Sequence, residues 1–175
     1  MATRVGIALG ANLPSPEGDC LSNILAARDL LADLMPPFQS IKQAALYQSE
    51  PLNCPEGSPV FLNTVIEIAY DGTPNELLRS TQAIERQLGR NAVHQRNAPR
   101  IIDIDILYFG AELYQDKDLS IPHPEITHRR FVLQPLADIH PELILPGDDH
   151  SKTITGYLQH LDSDEPPLSL VKANW

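Results

Sequence analysis

The residues with the most chemistry in this chain stand close together. Arg100, Asp103 and Asp105 fall within the run R-N-A-P-R-I-I-D-I-D-I-L-Y-F-G at positions 96–110. Ile102, Ile104, Ile106 and Tyr108 alternate with Asp103, Asp105 and Leu107, the period-two pattern of a β-strand. On a strand, that spacing puts both aspartates on one face, with Cα atoms roughly 6.5–7 Å apart. Two carboxylates that close repel each other unless a cation lies between them. A hard cation with oxygen ligands, Mg²⁺ above all, meets that need. Arg100, just upstream, offers a fork suited to phosphate. Carboxylates, metal and arginine together point to nucleotide phosphates.

Composition narrows the ligand further. The formal net charge of −10 excludes the broad basic footprint of a nucleic-acid binder. Yet the acid-free segment 86–102 carries Arg86, Arg90, Arg96 and Arg100. A positive island on an acidic protein focuses a small anion without attracting DNA. The length of 175 residues suits one domain over 1–175, and 42% hydrophobic with 21% charged residues is ordinary for a soluble globular protein. No run reaches the length of a membrane span, and Met1-Ala2-Thr3-Arg4 does not open a signal peptide. Cys20 and Cys54 form no CxxC pair, so incidental thiols in a cytoplasmic protein are expected.

These residues need a scaffold, and the pattern supplies one. Residues 4–9 read as a strand with Val5, Ile7 and Leu9 on one side, turned by Gly10-Ala11-Asn12; nothing there matches a P-loop. A helix is expected over 19–35, stopped by Pro36-Pro37, then a weak strand over 39–47 and a proline-rich loop over 49–59. Over 60–70, Val60, Leu62, Ile66, Ile68 and Tyr70 face one way; Phe61, Asn63, Val65 and Glu67 face the other. The second helix has the clearest signature: Thr73 as cap, Pro74 at the first position, Glu76 completing a capping box, and Gly89 as the stop. Leu77, Thr81, Ile84 and Leu88 are its buried stripe. An arginine-bearing loop over 90–99 leads into the aspartate strand. Beyond it come a hairpin over 111–121, a turn at Pro122-His123-Pro124, a helix over 129–139 interrupted near Pro135, a weaker helix over 152–161, and a polar linker over 162–167.

The order strand, helix, strand, strand, helix, strand is that of an α+β ferredoxin-like sandwich, an antiparallel sheet with helices on one face, here with an added C-terminal hairpin and short helices. The other face is expected to be open, and to carry Phe61, Asn63, Asp103 and Asp105 together.

Arg96-x-Ala98-Pro99-Arg100-x-x-Asp103-Ile104-Asp105-Ile106-Leu107 resembles the signature of the 6-hydroxymethyl-7,8-dihydropterin pyrophosphokinases, enzymes of folate biosynthesis. Gly10-Ala11-Asn12, Tyr47-x-Ser49-x-Pro51-Leu52, Phe61-Leu62-Asn63, Gln82-x-x-Glu85, Ile121-Pro122-His123 and Arg129-x-Phe131 match in the same order, up to about position 147. The resemblance implies transfer of diphosphate from ATP to the pterin hydroxymethyl group with release of AMP. It implies two Mg²⁺ ions held by Asp103 and Asp105, with Arg100 beside them and Asp105 helping to take the hydroxyl proton. ATP would meet Gln82, Glu85, Arg90, Arg96, Arg100, Ile106, His123 and Arg129. The pterin would lie between Phe61 and Phe131, with Asn63 on its pyrimidinone edge and Ser49 and Leu52 completing the wall. Small-molecule substrates only, and a monomer, are expected.

The chain departs from the family where Ala92 and Asn97 stand at positions often held by arginine and tryptophan, and Asp118 where a base is common. Two other readings compete: a different Mg-dependent phosphotransferase or nuclease, and a non-catalytic module that binds nucleotide or pterin.

Overall fold

The computed structural model describes residues 2–51, 56–90, 99–149 and 151–175. Its centre is a mixed-order antiparallel sheet. The strands are β1 (Thr3–Ala11), β2 (Lys42–Gln43), β3 (Leu46–Ser49), β4 (Phe61–Tyr70), β5 (Asp103–Phe109) and β8 (Ser169–Lys172). They run in the order β5-β1-β4-β3-β8, with β2 also on β4. A separate two-stranded ladder joins β6 (Tyr114–Gln115) to β7 (Ser120–Ile121). Helices α1 (Cys20–Ala32) and α2 (Pro74–Gln87) lie between strands in sequence; α3 (Arg130–Ile139) and α4 (Ile154–Gln159) follow β7.

Local chemistry explains the helix boundaries. Asp19 caps α1 by accepting the Ser22 N–H at 2.8 Å, and the last residues of the expected helix, 33–35, form tight turns instead. In α2 the capping box is complete: Thr73 Oγ1 accepts from the Glu76 amide, and the Glu76 carboxylate accepts from the Thr73 amide. Such a cap contributes about 1 kcal/mol. Leu77, Thr81 and Ile84 are buried, as the stripe requires. Pro135 does not interrupt α3. It has no N–H to give the Phe131 carbonyl four residues back, so one rung of the ladder is missing while the helix keeps its course.

Two apolar layers sandwich the sheet. Val5, Ile7 and Leu9 of β1 pack with Ile66, Ile68, Ile104 and Ile106 beneath Ile24, Leu31, Leu77 and Ile84 of α1 and α2. The expected open face is covered over part of its length. Val65, Leu107 and Tyr108 pack there against Val132, Leu133 and Leu136 of α3 and Ile154 of α4. The apolar pattern of α3, with five buried residues, requires a partner, and the sheet supplies it.

The alternation along β5 also changes partway. The β1–β5 register pairs Gly6 with Tyr108 but Ile7 with Ile106, so Leu107 is an extra, bulged residue. Tyr108 therefore joins Leu107 on the α3 side, and Phe109 turns to the α1/α2 side. There the Tyr108 hydroxyl donates to buried Glu67 at 2.8 Å. His140 Nε2 lies 2.7 Å from the same carboxylate oxygen, in contact but off the hydrogen-bond line.

Candidate active site

The site forms where α3 stops covering the sheet. Register places the side chains in rows. Asp103 on β5 lies beside Gly10 on β1 and Asn63 on β4; one row on, Asp105 lies beside Ala8 and Val65. Along the trough, β1 presents only Ala8 and Gly10 on this face, so no long side chain fills the space between the acids and β4. The result is a trough of about 740 Å³, its solvent mouth included, floored by Ala8 and Gly10. Asp103, Asp105 and Arg100 form one wall; Phe61, Asn63 and Ser49 form the opposite one, with Arg129 and Phe131 at the end where α3 begins. Val5, Ile7 and Leu9 mark the buried side of β1 in sequence. The small residues between them were the unread signal for the trough.

Each wall is held from behind. Asn12, almost fully buried, takes the Arg100 amide on its side-chain oxygen at 2.7 Å and donates its side-chain NH₂ to Pro59 O at 3.2 Å. The Asn12 and Leu13 amides both donate to Arg100 O. Arg100 is thus fixed by its main chain before its guanidinium reaches Asp103. On the other wall, Asn63 Nδ2 donates to Ser49 Oγ at 2.8 Å, leaving its carbonyl oxygen toward Gly10.

The electrostatics are uneven. Arg90 Nη1 donates to one oxygen of Asp103 at 2.7 Å and Arg100 Nη1 to the other at 2.6 Å. Arg90 is also paired with Glu85, and Glu85 accepts the Ile104 amide at 2.8 Å. Burial pushes the Glu85 carboxyl up, against the pull of Arg90. Burial also opposes the charge of Arg90, but Asp103 and Glu85 outweigh it and hold that guanidinium above its ordinary value. Asp105 has no cationic partner in contact among the described residues. Its side chain opens onto the cavity, yet it stands deep in the trough among other protein groups. Desolvation there, then the Asp103 and Glu85 carboxylates, push it up to about 7. His123 is bound through its amide to Leu107 O at 2.8 Å; burial and then Arg129 lower its pKa, so the ring is neutral at pH 7.

That donor set fits a magnesium ion. Two carboxylates face one cavity, one of them without a counter-charge, which is a demand for a cation. Among the described residues no cluster of three protein ligands exists, so further ligands would be water and phosphate oxygens, as is usual for Mg²⁺.

Sequence comparison gives this geometry a family. The profile of 7,8-dihydro-6-hydroxymethylpterin-pyrophosphokinase (HPPK) matches residues 6–141. The chain belongs to the HPPK family. A Pseudomonas aeruginosa protein named 2-amino-4-hydroxy-6-hydroxymethyldihydropteridine pyrophosphokinase is 39% identical over 150 residues, covering 86% of this chain and 88% of that one. A Haemophilus influenzae protein of the same name is 35% identical over 141 residues, covering 81% and 84%. The folic acid synthesis protein fol1 of Pneumocystis carinii is 36% identical over 165 residues, but the chain spans only 21% of its length. Among solved structures, Plasmodium falciparum HPPK-DHPS with pteroate matches with a TM-score of 0.65 at 16% identity. That match covers 91% of this chain and 44% of the other, and it speaks for the fold alone.

Against the HPPK pattern, the structure gathers Ser49, Phe61, Asn63, Arg100, Asp103, Asp105, Arg129 and Phe131 around one cavity. Arg90 stands behind Asp103 and is ion-paired to it, and Glu85 is paired in turn to Arg90. Gln82 is exposed on α2, outside the cavity lining. The Ile106 side chain is buried in the α1/α2 core, on the far side of the sheet from Asp105, which leaves only its main chain for a ligand. His123 is not among the lining residues but lies within the field of Asp103. Asp118 is at the surface, 3.7 Å from Lys117. Leu52, Ala92, Arg96 and Asn97 lie outside the described residues.

Proposed function

We propose that this HPPK-family protein transfers the terminal diphosphate of ATP to the hydroxymethyl group of 6-hydroxymethyl-7,8-dihydropterin, releasing AMP, in folate biosynthesis. One observation carries the reading: a single trough has an acid and arginine wall facing an aromatic and amide wall across a floor of small residues. A flat, amide-rich ring lies between Phe61 and Phe131 with Asn63 on its edge, and its hydroxymethyl arm points toward Asp103 and Asp105.

In this reaction the hydroxymethyl oxygen attacks the β-phosphorus of ATP. The bond from that phosphorus to the oxygen bridging it to the α-phosphorus breaks, and AMP leaves with that oxygen. The hydroxyl proton passes to Asp105 or to water beside it. Asp103 and Asp105 would hold Mg²⁺, two ions in this reading, which supplies neutralisation of the phosphate charge when bound. Arg100, Arg129, Arg90, Arg96 and neutral His123 orient the phosphates, with Gln82, Glu85 and the Ile106 main chain toward the nucleoside side. Ser49 and Leu52 border the pterin.

The strand order β5-β1-β4-β3 supports a ferredoxin-like arrangement. We further read residues 1–175 as a single catalytic domain acting as a cytoplasmic monomer on small molecules, not on nucleic acid. Among the described residues, no helix is long and apolar enough to cross a membrane.

The deciding assay incubates the protein with MgATP, with and without 6-hydroxymethyl-7,8-dihydropterin, and identifies the released nucleotide. Pterin-dependent AMP is expected. ADP would point to an ordinary kinase, and binding of both ligands without any release would point to a non-catalytic module.

A further inference from the structure

The last part of the chain lies beyond the HPPK profile match, which ends at residue 141, and reads in sequence as a linker with a short tail. In the structure it touches two elements that border the pterin pocket, β3 and the start of α3. β8 pairs with β3, Tyr47 opposite Leu170 and Gln48 opposite Ser169, so it backs the strand that ends at Ser49. Trp175 anchors it: the indole N–H donates to Ala44 O at 2.8 Å, and the Gln43 side chain donates to the Trp175 main-chain oxygen at 2.7 Å. The Arg28 guanidinium stacks 5.2 Å from the Trp175 ring.

The other contact is made by one side chain. Helix α3 begins without a cap of its own, because Arg129 stands at the N-cap position with no side-chain oxygen to offer and makes no capping hydrogen bond. The Arg130 amide, the first of the helix, donates instead to Glu165 Oε2 at 2.9 Å, from 35 residues along the chain. Glu165 is itself held, its amide donating to Ser163 Oγ at 3.0 Å. The capped residue is flanked by Arg129 and Phe131, both of which line the pocket, with the guanidinium 5.5 Å from the ring. A carboxylate at this place also matches the positive end of the helix dipole.

We propose that Glu165 is a positioning residue for the pocket: as the cap of α3 supplied from outside the helix, it sets the first turn and thereby the placement of Phe131 and Arg129. The proposal rests on the pterin reading of that pocket. Without the cap the first turn frays, and the pocket is complete in only a fraction of molecules; affinity falls by that fraction.

The test compares full-length wild type, Glu165→Ala and Glu165→Gln by pterin binding (fluorescence of 6-hydroxymethylpterin) and by steady-state kinetics. Glu165→Ala should raise the Kd and KM for pterin about three- to tenfold, as loss of a cap predicts, while kcat at saturation stays within about twofold. Glu165→Gln, whose amide oxygen still accepts the Arg130 N–H, should restore most of the loss. If Glu165→Ala does not fold, Ser163→Ala, which loosens Glu165 without removing it, should shift KM in the same direction. Wild-type affinity in the alanine variant overturns the proposal, and so does a glutamine variant no better than alanine. A wild type that binds no pterin overturns the pocket reading itself, and the proposal with it.

Discussion

Glu85 accepts the main-chain N–H of Ile104, the peptide between the two aspartates, at 2.8 Å. β5 is the outer strand of the sheet, so an amide turned away from β1 finds no partner strand and must be satisfied some other way. Glu85 does this from α2 and, through Arg90, also steadies the Asp103 carboxylate. The residue that a sequence pattern places toward a nucleoside is therefore part of the frame that aims the acids.

Glu85→Ala should strand the Ile104 amide and release Arg90, lowering stability by about 1–3 kcal/mol. Glu85→Gln keeps an acceptor for that amide and removes a charge that burial disfavours, so its unfolding midpoint should lie near that of wild type. Urea denaturation of the three proteins measures this. An alanine variant with an unchanged midpoint would show that the contact carries no weight.

A second prediction concerns pH. The folded Asp105 carboxyl is pushed up to about 7, from an ordinary 3.8, by desolvation and then by Asp103 and Glu85. A raised carboxyl contributes its stability below the unfolded value and loses it as pH rises through the folded one. The ligand-free protein should therefore lose stability between about pH 4 and 7, and Asp105→Asn should flatten that window. Mg²⁺ competes with the same proton, so binding of MgATP should strengthen as pH rises through this range and release protons. Calorimetry in buffers of different ionisation enthalpy reads the proton count; binding indifferent to pH would remove Asp105 from the metal site.

The third prediction tests the bulge. A Cβ on Gly6 would stand 2.1 Å from Tyr108 Cε1, a ring the extra residue Leu107 has turned onto this face. Gly6→Ala should cost about 3 kcal/mol, the upper part of the usual range for overpacking. With Tyr108→Ala in the same chain the two costs should be far from additive, since one change removes the obstacle the other meets. Thermal unfolding of the double-mutant cycle gives the coupling, and simple additivity would place the Tyr108 ring elsewhere.

What the sequence made legible follows from strong local signals. The capping box of α2 is such a signal, and so is the alternation that puts Asp103 and Asp105 on the face of Phe61 and Asn63. Other features depend on contacts far along the chain. Leu107 and Tyr108 are both apolar enough to sit on either face, so their pattern cannot announce a bulge. β8 is short and exposed along its length, and it forms because β3 offers an edge rather than from a burial pattern of its own. Pro135 reads as a break, yet a helix buried against Val65 and Leu107 tolerates one missing rung. Glu165 is one more acid in a polar stretch until the helix start it caps is folded beside it.

The floor of Ala8 and Gly10 has a consequence for the entropy of recognition. Whatever flat group enters the trough lies over the main chain of β1, where no rotamer must be frozen and no long side chain must move aside. That part of the surface is as preorganised as the hydrogen-bonded sheet itself, so the ordering cost of binding falls on the walls. It also makes the floor intolerant in one direction: nearly every substitution at Ala8 or Gly10 is larger, and each would occupy the volume the ring requires.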